Sequence, residues 1–354
     1  MWEAYIIFSA VLLVVSFLPR FKNQHWLFRV WDFGKTQLTI IMLATFLAGF
    51  LLNNFSTSFY IIQGFLLITI AYHCIVLAKY TPLYPRSKHQ KSRNSSKNIK
   101  IISANIYLFN KDYASFISLI KKNEPDLFLM MESDEHWENA VKILEKDYPN
   151  HIKVSLDNTY GMHFYSKFKV AKSKVHYFVA DDIPSIEAHL ETEDGFKFVF
   201  FGVHPPPPSP TEEETSKERD GDILSVAKEV KNIEKPVLVI GDFNNVAWSN
   251  SSILFKKVSE LIDPRIGRGF ISTYHAKYKL LRFPIDLMFH SPDIFIENLK
   301  TLEAFGSDHL PILCEFYIDK NDQKQKNEVE KSDTEEKTEA EELIDEGKKA
   351  ESDR

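Results

Sequence analysis

Three apolar runs crowded into the first 80 residues constrain this 354-residue chain more than any other feature. The first is Tyr5–Leu18, YIIFSAVLLVVSFL. The second is Leu38–Leu52, LTIIMLATFLAGFLL. The third is Phe59–Ala78, FYIIQGFLLITIAYHCIVLA. A helix needs about 20 apolar residues to cross hydrocarbon. The third run reaches that length alone, and the first two reach it with Trp2, Pro19, Thr36 and Asn53 at their flanks. A cleaved leader does not fit the first run, because no basic segment precedes it and no small-x-small site follows. Pro19, Arg20, Phe21 and Lys22 come next, then HWLFRVWDF, an aromatic and basic loop suited to a membrane interface. Buried core helices are the competing explanation, and three nearly chargeless runs so close together argue against it. The expectation is a three-helix transmembrane anchor over residues 1–80.

Lys and Arg in short loops predict orientation. The first loop carries Arg20, Lys22, Arg29 and Lys35, NNFST carries none, and the stretch after the third run carries Lys79, Arg86, Lys88, Lys91, Arg93 and Lys97. This places the N-terminus outside and everything after the third helix in the cytoplasm. Residues 81–98, TPLYPRSKHQKSRNSSKN, read as a basic linker lying against anionic headgroups. A nucleic-acid arm is the other reading, and a position beside a membrane helix disfavours it.

From residue 99 short apolar strands alternate with amphipathic segments, the pattern of a layered α/β domain over residues 99–318. Residues 319–354 are almost all charged or polar, with one apolar pair at Leu343 and Ile344. So little apolar surface does not offset the entropy of ordering, which predicts a charged, disordered tail. Charge divides with the segments: residues 1–99 are +8, residues 100–318 are −8, and the tail is −6. An acidic soluble domain argues against broad, sequence-independent grip on a nucleic-acid backbone, which needs Lys and Arg to displace counterions. Cys74 sits in an apolar run and Cys314 near the end of the soluble domain, so no disulfide framework exists.

Polar residues recur beside the ends of the predicted strands. Asn105 follows IISA, Glu132 follows LFLMM, His204 follows FVFFGV, and Asp242 and Asn244 follow VLVIG. Asp286 lies in FPIDLMF, and Ser307, Asp308 and His309 precede LPILCEFYI. Singly, each has a structural explanation as a cap, a turn or a satisfied core histidine. Together, carboxylates and amide oxygens are the donors that Mg²⁺ prefers, and histidines stabilise charge on a transferring phosphoryl group. There is no Cys/His cluster for zinc, no G-x-S-x-G elbow and no G-x-x-x-x-G-K-[ST] loop.

The ordered set SAN, MME, GVHP, GDFN, IDLMF and GSDHLP resembles the endonuclease/exonuclease/phosphatase superfamily across residues 99–318. IEAHLE followed by HPPPP resembles its membrane-attached bacterial branch. The resemblance implies a four-layer α/β sandwich of two mixed β-sheets flanked by helices, the DNase I-like fold, and a location in the bacterial inner membrane. It implies Mg²⁺, or Mn²⁺ in its place, bound by Glu132 with Asn105 and Asp308. Asp242 would orient or deprotonate the attacking water, Asn244 would hold a phosphate oxygen, and His204 would contact the scissile phosphate. His309, oriented by Asp286, would stabilise the transition state.

The favoured substrate is a small or lipid-headgroup phosphoester. A membrane-tethered nuclease and a scaffold without catalysis are the alternatives, and nothing points to a protein partner. The acidic insert PPPPSPTEEETSKERDGD after His204 would repel a nucleic acid if it bordered the cleft. PRIGRGFISTYHAKYKLLRFP, with Arg265, Arg268, Lys277, Lys279 and Arg282, is either a substrate-contacting stretch or an ordinary solvated loop.

Overall fold

The computed structural model describes residues 1–52, 54–86, 92, 94–320, 322 and 324–351. Asn53 and the linker's Lys88, Lys91 and Arg93 lie outside the described residues.

The N-terminal region holds α1 (Trp2–Phe17), the short α2 (Trp26–Phe33), α3 (Lys35–Gly49) and α4 (Thr57–Ala78). With their terminal turns, Trp2–Arg20, Lys35–Leu52 and Thr57–Ala78 are long and apolar enough to cross a membrane. Leu12, Leu38, Met42, Leu66 and Ile70 meet in the centre of this bundle. Its outer surface is also apolar, with Ile7, Val14, Ile40, Leu47, Ile68 and Ile75 exposed. Helices apolar on every side do not face water stably.

The α/β domain contains β1 (Ile99–Asn105), α5 (Tyr113–Asn123), β2 (Leu127–Met131), α6 (Glu135–Val141), β3 (Asn150–Val154), β4 (Met162–Ser166) and β5 (Lys169–His176). There follow β6 (Ser185–Glu191), β7 (Lys197–Val203), α7 (Lys217–Lys231), β8 (Val237–Asp242), α8 (Asn250–Ser259), β9 (Asp286–His290), β10 (Ile294–Thr301) and β11 (Ile312–Ile318). One sheet has the order β10-β11-β1-β2-β4-β3 and the other β5-β6-β7-β8-β9. Both are mixed: β1–β2 and β7–β8 pair in parallel, and their other neighbours are antiparallel.

Strand side chains alternate between faces. Ile101, Leu129 and Phe164 therefore meet Ala188, Phe200 and Ile240 between the sheets. Ile102, Phe128 and Met130 pack outward on Phe116, Leu119 and Trp137 of α5 and α6. Val199, Phe201 and Val239 pack outward on Ile223, Val226 and Phe255 of α7 and α8. The result is the expected four-layer sandwich.

Two expectations change. The tail is not disordered throughout: α9 (Thr334–Lys348) docks on α7, burying Ala340 and Ile344 in the core. A capping box between Asp333 and Glu336 starts it. Ala340, Leu343, Ile344 and Gly347 recur at helical spacing, so a narrow stripe replaces the broad apolar face that composition alone would demand.

The N-terminal region is also not a separate module. Trp26 N–H donates to the Glu214 carbonyl (2.9 Å), Trp248 Nε1 to the Asp32 carbonyl (2.8 Å) and Gly267 N–H to the Lys79 carbonyl (2.9 Å). Leu77 and Tyr80 pack with Val246, Trp248 and Ile285.

Candidate active site

Strand direction explains why residues scattered over 200 positions converge. Asn105, Glu132, His204 and Asp242 end, or follow, the parallel pairs β1–β2 and β7–β8. β9 and β11 run antiparallel to their neighbours, so their N-terminal ends reach the same edge. Asp286 is the register partner of Asp242, and His309 lies just before β11.

GDFN forms the tightest part of this edge. A Cβ on Gly241 would lie 1.9 Å from the Val203 carbonyl oxygen, so β7 and β8 approach as they do only with glycine there. Asn244, Glu132 and Tyr107 have φ of 47°, 61° and 59°. Left-handed backbone at non-glycine residues is strained, and such strain concentrates where a site must be held in place. All three line one cavity of about 660 Å³ with His204, Asp242, Asp308 and His309.

The carboxylates are joined by Asn105, whose Nδ2 donates to Glu132 Oε1 (2.7 Å) and to Asp242 Oδ2 (3.1 Å). Its Oδ1 accepts the Tyr107 N–H (3.0 Å). The Asn105 amide nitrogen thus spans the two carboxylates, while its oxygen, with one N–H accepted, keeps a second lone pair. Leu108 N–H donates to Glu132 Oε2 (3.1 Å), and Asn244 N–H to Asp242 Oδ1 (2.9 Å). Asn244 Nδ2 donates to the Pro205 carbonyl (2.9 Å).

Facing them, His309 Nδ1 bonds Asp286 Oδ2 at 2.8 Å, which turns Nε2 towards Asp242 Oδ2, 3.5 Å away. His204 Nε2 lies 3.9 Å from the same oxygen. Ser307 ties the two sides together, donating to the Asn105 carbonyl (2.8 Å) and accepting the His309 N–H (3.0 Å).

Electrostatics separate the two histidines. Burial pushes His204 down to about 4. Burial opposes the charge on His309 too, but Asp286 and Asp242 outweigh it and lift His309 to about 10. Burial also lifts Glu132 to about 7, and burial with the nearby Asp286 lifts Asp242. Carboxylates held out of water in this way invite a cation.

The donor set fits a hard divalent metal. Glu132 and Asp242 supply carboxylate oxygens on one side, and Asp308 Oδ1 is buried without a hydrogen-bond partner. Asp242, Asp286 and His309 also bring ligand atoms within 4.8 Å of one another. The bond from His309 to Asp286 makes those two an orienting pair rather than two free ligands.

The basic stretch divides. Arg265 is buried against Asp263 (2.9 Å), and Arg268 donates to the Pro264 and Ile296 carbonyls, so both hold structure. Lys277 and Lys279 are exposed. The acidic insert does border the cavity, through Pro207, Ser209 and Glu212. Sequence reasoning missed Tyr160, whose ring lies 5.6 Å from His204, and noted the stretch holding Tyr274, 4.9 Å from His309, only for its cations. It also missed Trp31 and Phe33 of α2, which form a cavity wall, and Arg219, which donates to the Asn244 carbonyl (3.1 Å). For Trp31 and Phe33 the aromatic richness of HWLFRVWDF was the one signal.

A family model described as "Endonuclease/Exonuclease/phosphatase family" matches residues 102–309. No curated protein sequence matches the chain. Similar solved structures include a family protein from Bacteroides thetaiotaomicron (18% identity, 64% of this chain and 97% of that one, TM-score 0.54). Another is D. rerio TDP2 complexed with single-strand DNA product (16%, 62% and 99%, TM-score 0.53). A third is the Bacteroides thetaiotaomicron mannosyl-6-phosphatase (18%, 62% and 99%, TM-score 0.52). At these identities the likeness establishes the shared fold.

Proposed function

The chain belongs to the Endonuclease/Exonuclease/phosphatase family and is a metal-dependent phosphoester hydrolase, and from that premise we propose a membrane-anchored, Mg²⁺-dependent enzyme acting on a small or lipid-headgroup phosphoester. The observation that carries this reading is the Glu132–Asn105–Asp242 carboxylate bridge facing the His309–Asp286 pair across one cavity.

Glu132 and Asp308 would hold the divalent ion, with Asn105 setting the spacing of Glu132 from Asp242. When bound, that ion supplies Lewis-acid polarisation of a phosphoryl oxygen and a template for the ester. Asp242 orients the attacking water and accepts its proton at Oδ2. His309, held in one orientation by Asp286, donates from Nε2 to the oxygens that gain charge as water attacks in line. The second amide hydrogen of Asn244 remains for a phosphate oxygen. His204, kept neutral by burial, contacts the same group without adding charge.

The acidic insert at the mouth favours a compact ester over a nucleic acid, whose neighbouring phosphates would meet Glu212. The apolar exterior of the three N-terminal helices supports the anchor, and basic loop residues support a cytoplasmic catalytic domain.

The test uses the full chain in lipid nanodiscs, assayed with Mg²⁺ or Mn²⁺ on plasmid DNA, inositol phosphates and phospholipids beside Asp242→Ala. Hydrolysis abolished by EDTA and by the substitution is expected, with DNA the poorest substrate. A folded protein that turns over nothing, or cuts DNA best, refutes the reading. Release from the bilayer by alkaline carbonate would refute the anchor.

A further inference from the structure

We infer that the substrate is a lipid, its phosphoester headgroup in the cavity and its hydrocarbon chain left in the leaflet, with α2 and the 277–282 loop as the lip over which it enters. This rests on the reading of the chain as a membrane-anchored phosphoesterase.

The cavity wall opposite the catalytic residues comes from the anchor. Val30, Trp31, Phe33 and Gly34 line the same space as Glu132, Asp242 and His309. Gly34 immediately precedes Lys35, the first residue of the second span. The cavity is therefore bounded by the last residues before the chain enters hydrocarbon, and its mouth lies at the depth where headgroups lie.

A second, independent element sits at that depth. Gln37 Nε2, on the third residue of the second span, donates to the Leu280 carbonyl (2.9 Å). That position is about 3 Å along the helix from its first residue. Phe33 and Phe283 meet edge to face at 6.4 Å, so this loop and α2 form one lip. Leu280 and Leu281, at the tip, are 87% and 57% exposed, and Tyr278 between Lys277 and Lys279 is 52% exposed. Adjacent leucines left bare in a water-facing loop are costly. An apolar tip beside the exposed Lys277 and Lys279 is instead the pattern of a segment seated in a headgroup layer, while Arg282 braces the loop through the His275 and Ala276 carbonyls. The lining beyond the catalytic floor is also apolar and aromatic, with Tyr160, Tyr274, Phe283 and Ile285. A fully hydrated sugar or inositol phosphate gains little from such walls, whereas the glycerol and first methylenes of a lipid would bury against them.

The test compares chain lengths at constant headgroup. Full-length protein in phosphatidylcholine nanodiscs is assayed with dioleoyl phosphatidate and dioleoyl phosphatidylglycerol, a monoester and a diester. Their dibutanoyl counterparts, p-nitrophenyl phosphate and bis(p-nitrophenyl) phosphate serve as water-soluble substrates. Long chains should raise kcat/KM at least about tenfold over the dibutanoyl forms, a difference of about 1.4 kcal/mol. The double variant Leu280→Ser/Leu281→Ser should collapse that ratio towards one, while turnover of the soluble esters reports that it is folded.

Equal rates for long and short chains, or an unchanged ratio in the variant, overturn the inference. Turnover of the nitrophenyl esters lost in Asp242→Ala, with none of either lipid, also overturns it while leaving the phosphoesterase standing. No turnover of any ester removes both.

Discussion

Docking of α9 is the clearest point at which structure and composition part, and its strength follows from few contacts. Ile344 is 3% exposed and Ala340 2%, both against the α7 side of the core, with Leu343 packed beside them. Ion pairs surround them: Lys228–Glu341 (2.6 Å), Lys22–Glu339 (3.4 Å) and Lys257–Glu336. Exposed pairs contribute about 0.2–1 kcal/mol each, and a 15-residue helix is marginal alone, so the buried stripe must hold α9 in place. Truncating a buried isoleucine to alanine costs about 2–5 kcal/mol. At about 3 kcal/mol, Ile344→Ala should lower the amide-exchange protection of residues 334–348 roughly 150-fold while leaving β7 and β8 unchanged. Gly221→Val tests the same contact from the other helix, since a Cβ there would lie 2.9 Å from the Gly347 Cα. Deuterium exchange read by mass spectrometry on the detergent-solubilised protein decides. Unprotected α9 amides in the parent protein, or protection untouched by both substitutions, would refute the reasoning and restore the disordered tail.

Other outcomes follow from the site and core. Asp286→Asn removes the carboxylate that outweighs burial at His309 and should cut turnover about 100-fold or more, with activity now declining through neutral pH. A loss below threefold would take the cationic histidine out of the mechanism. Asp222 is buried in α7 with neither carboxyl oxygen hydrogen-bonded, and burial lifts it to about 8. The folded state then binds its proton more tightly than the unfolded state. The chain should lose stability as pH rises from about 4 to about 8, by up to about 1.4 kcal/mol per unit. Asp222→Asn should remove that slope, so that its Tm advantage widens with pH across this window. Equal Tm gaps at pH 5 and pH 8 would contradict it. Gly241→Ala forces a methyl into the Val203 carbonyl and should lower Tm and abolish activity together. Full activity at parental Tm would show that the strands can part there.

What the sequence disclosed depended on how each feature is encoded. The core strands were legible because β1, β2, β7 and β8 are short apolar runs that end in, or are followed by, a polar residue, and the sheets bring those ends together. β3 and β5 were not, since edge strands such as NHIKV and KVAKSKVH carry charges on the solvent side and lack a full apolar face. The site residues were legible as a set, but their hydrogen bonds were not: no spacing rule reveals that Asn105 gives its nitrogen to the carboxylates. Arg265 and Arg268 show the opposite error. They look like substrate-facing cations in sequence, yet one pairs with Asp263 and the other caps carbonyls. For α9, averaging the tail hid a stripe at positions 340, 343, 344 and 347, and an Asp-x-x-Glu start that a periodic reading would have found.

The same reasoning changes what counts as the catalytic unit. A fragment that starts at about Lys97 and keeps α9 would contain every carboxylate and histidine of the site, and by sequence alone would pass for the catalytic unit. In the structure it would lack α2, and with it one wall of the cavity. It would also remove the buried Asp32–Lys35 pair (3.0 Å) from beside the Arg219–Asp220 pair that supports the Asn244 carbonyl. Trp248, Val246 and Ile285 would lose Leu77 and Tyr80 and face water beside the site. Uncovering that apolar surface and the buried Arg219–Asp220 pair removes a large share of a domain's stability. The fragment should therefore aggregate or melt well below the full chain, and whatever fraction folds should act on soluble esters more weakly. Equal Tm and equal kcat/KM on bis(p-nitrophenyl) phosphate for fragment and full chain would show that the N-terminal helices contribute nothing to the site. The contacts around Asp32, Trp248 and Phe33 argue instead that these helices complete the active site.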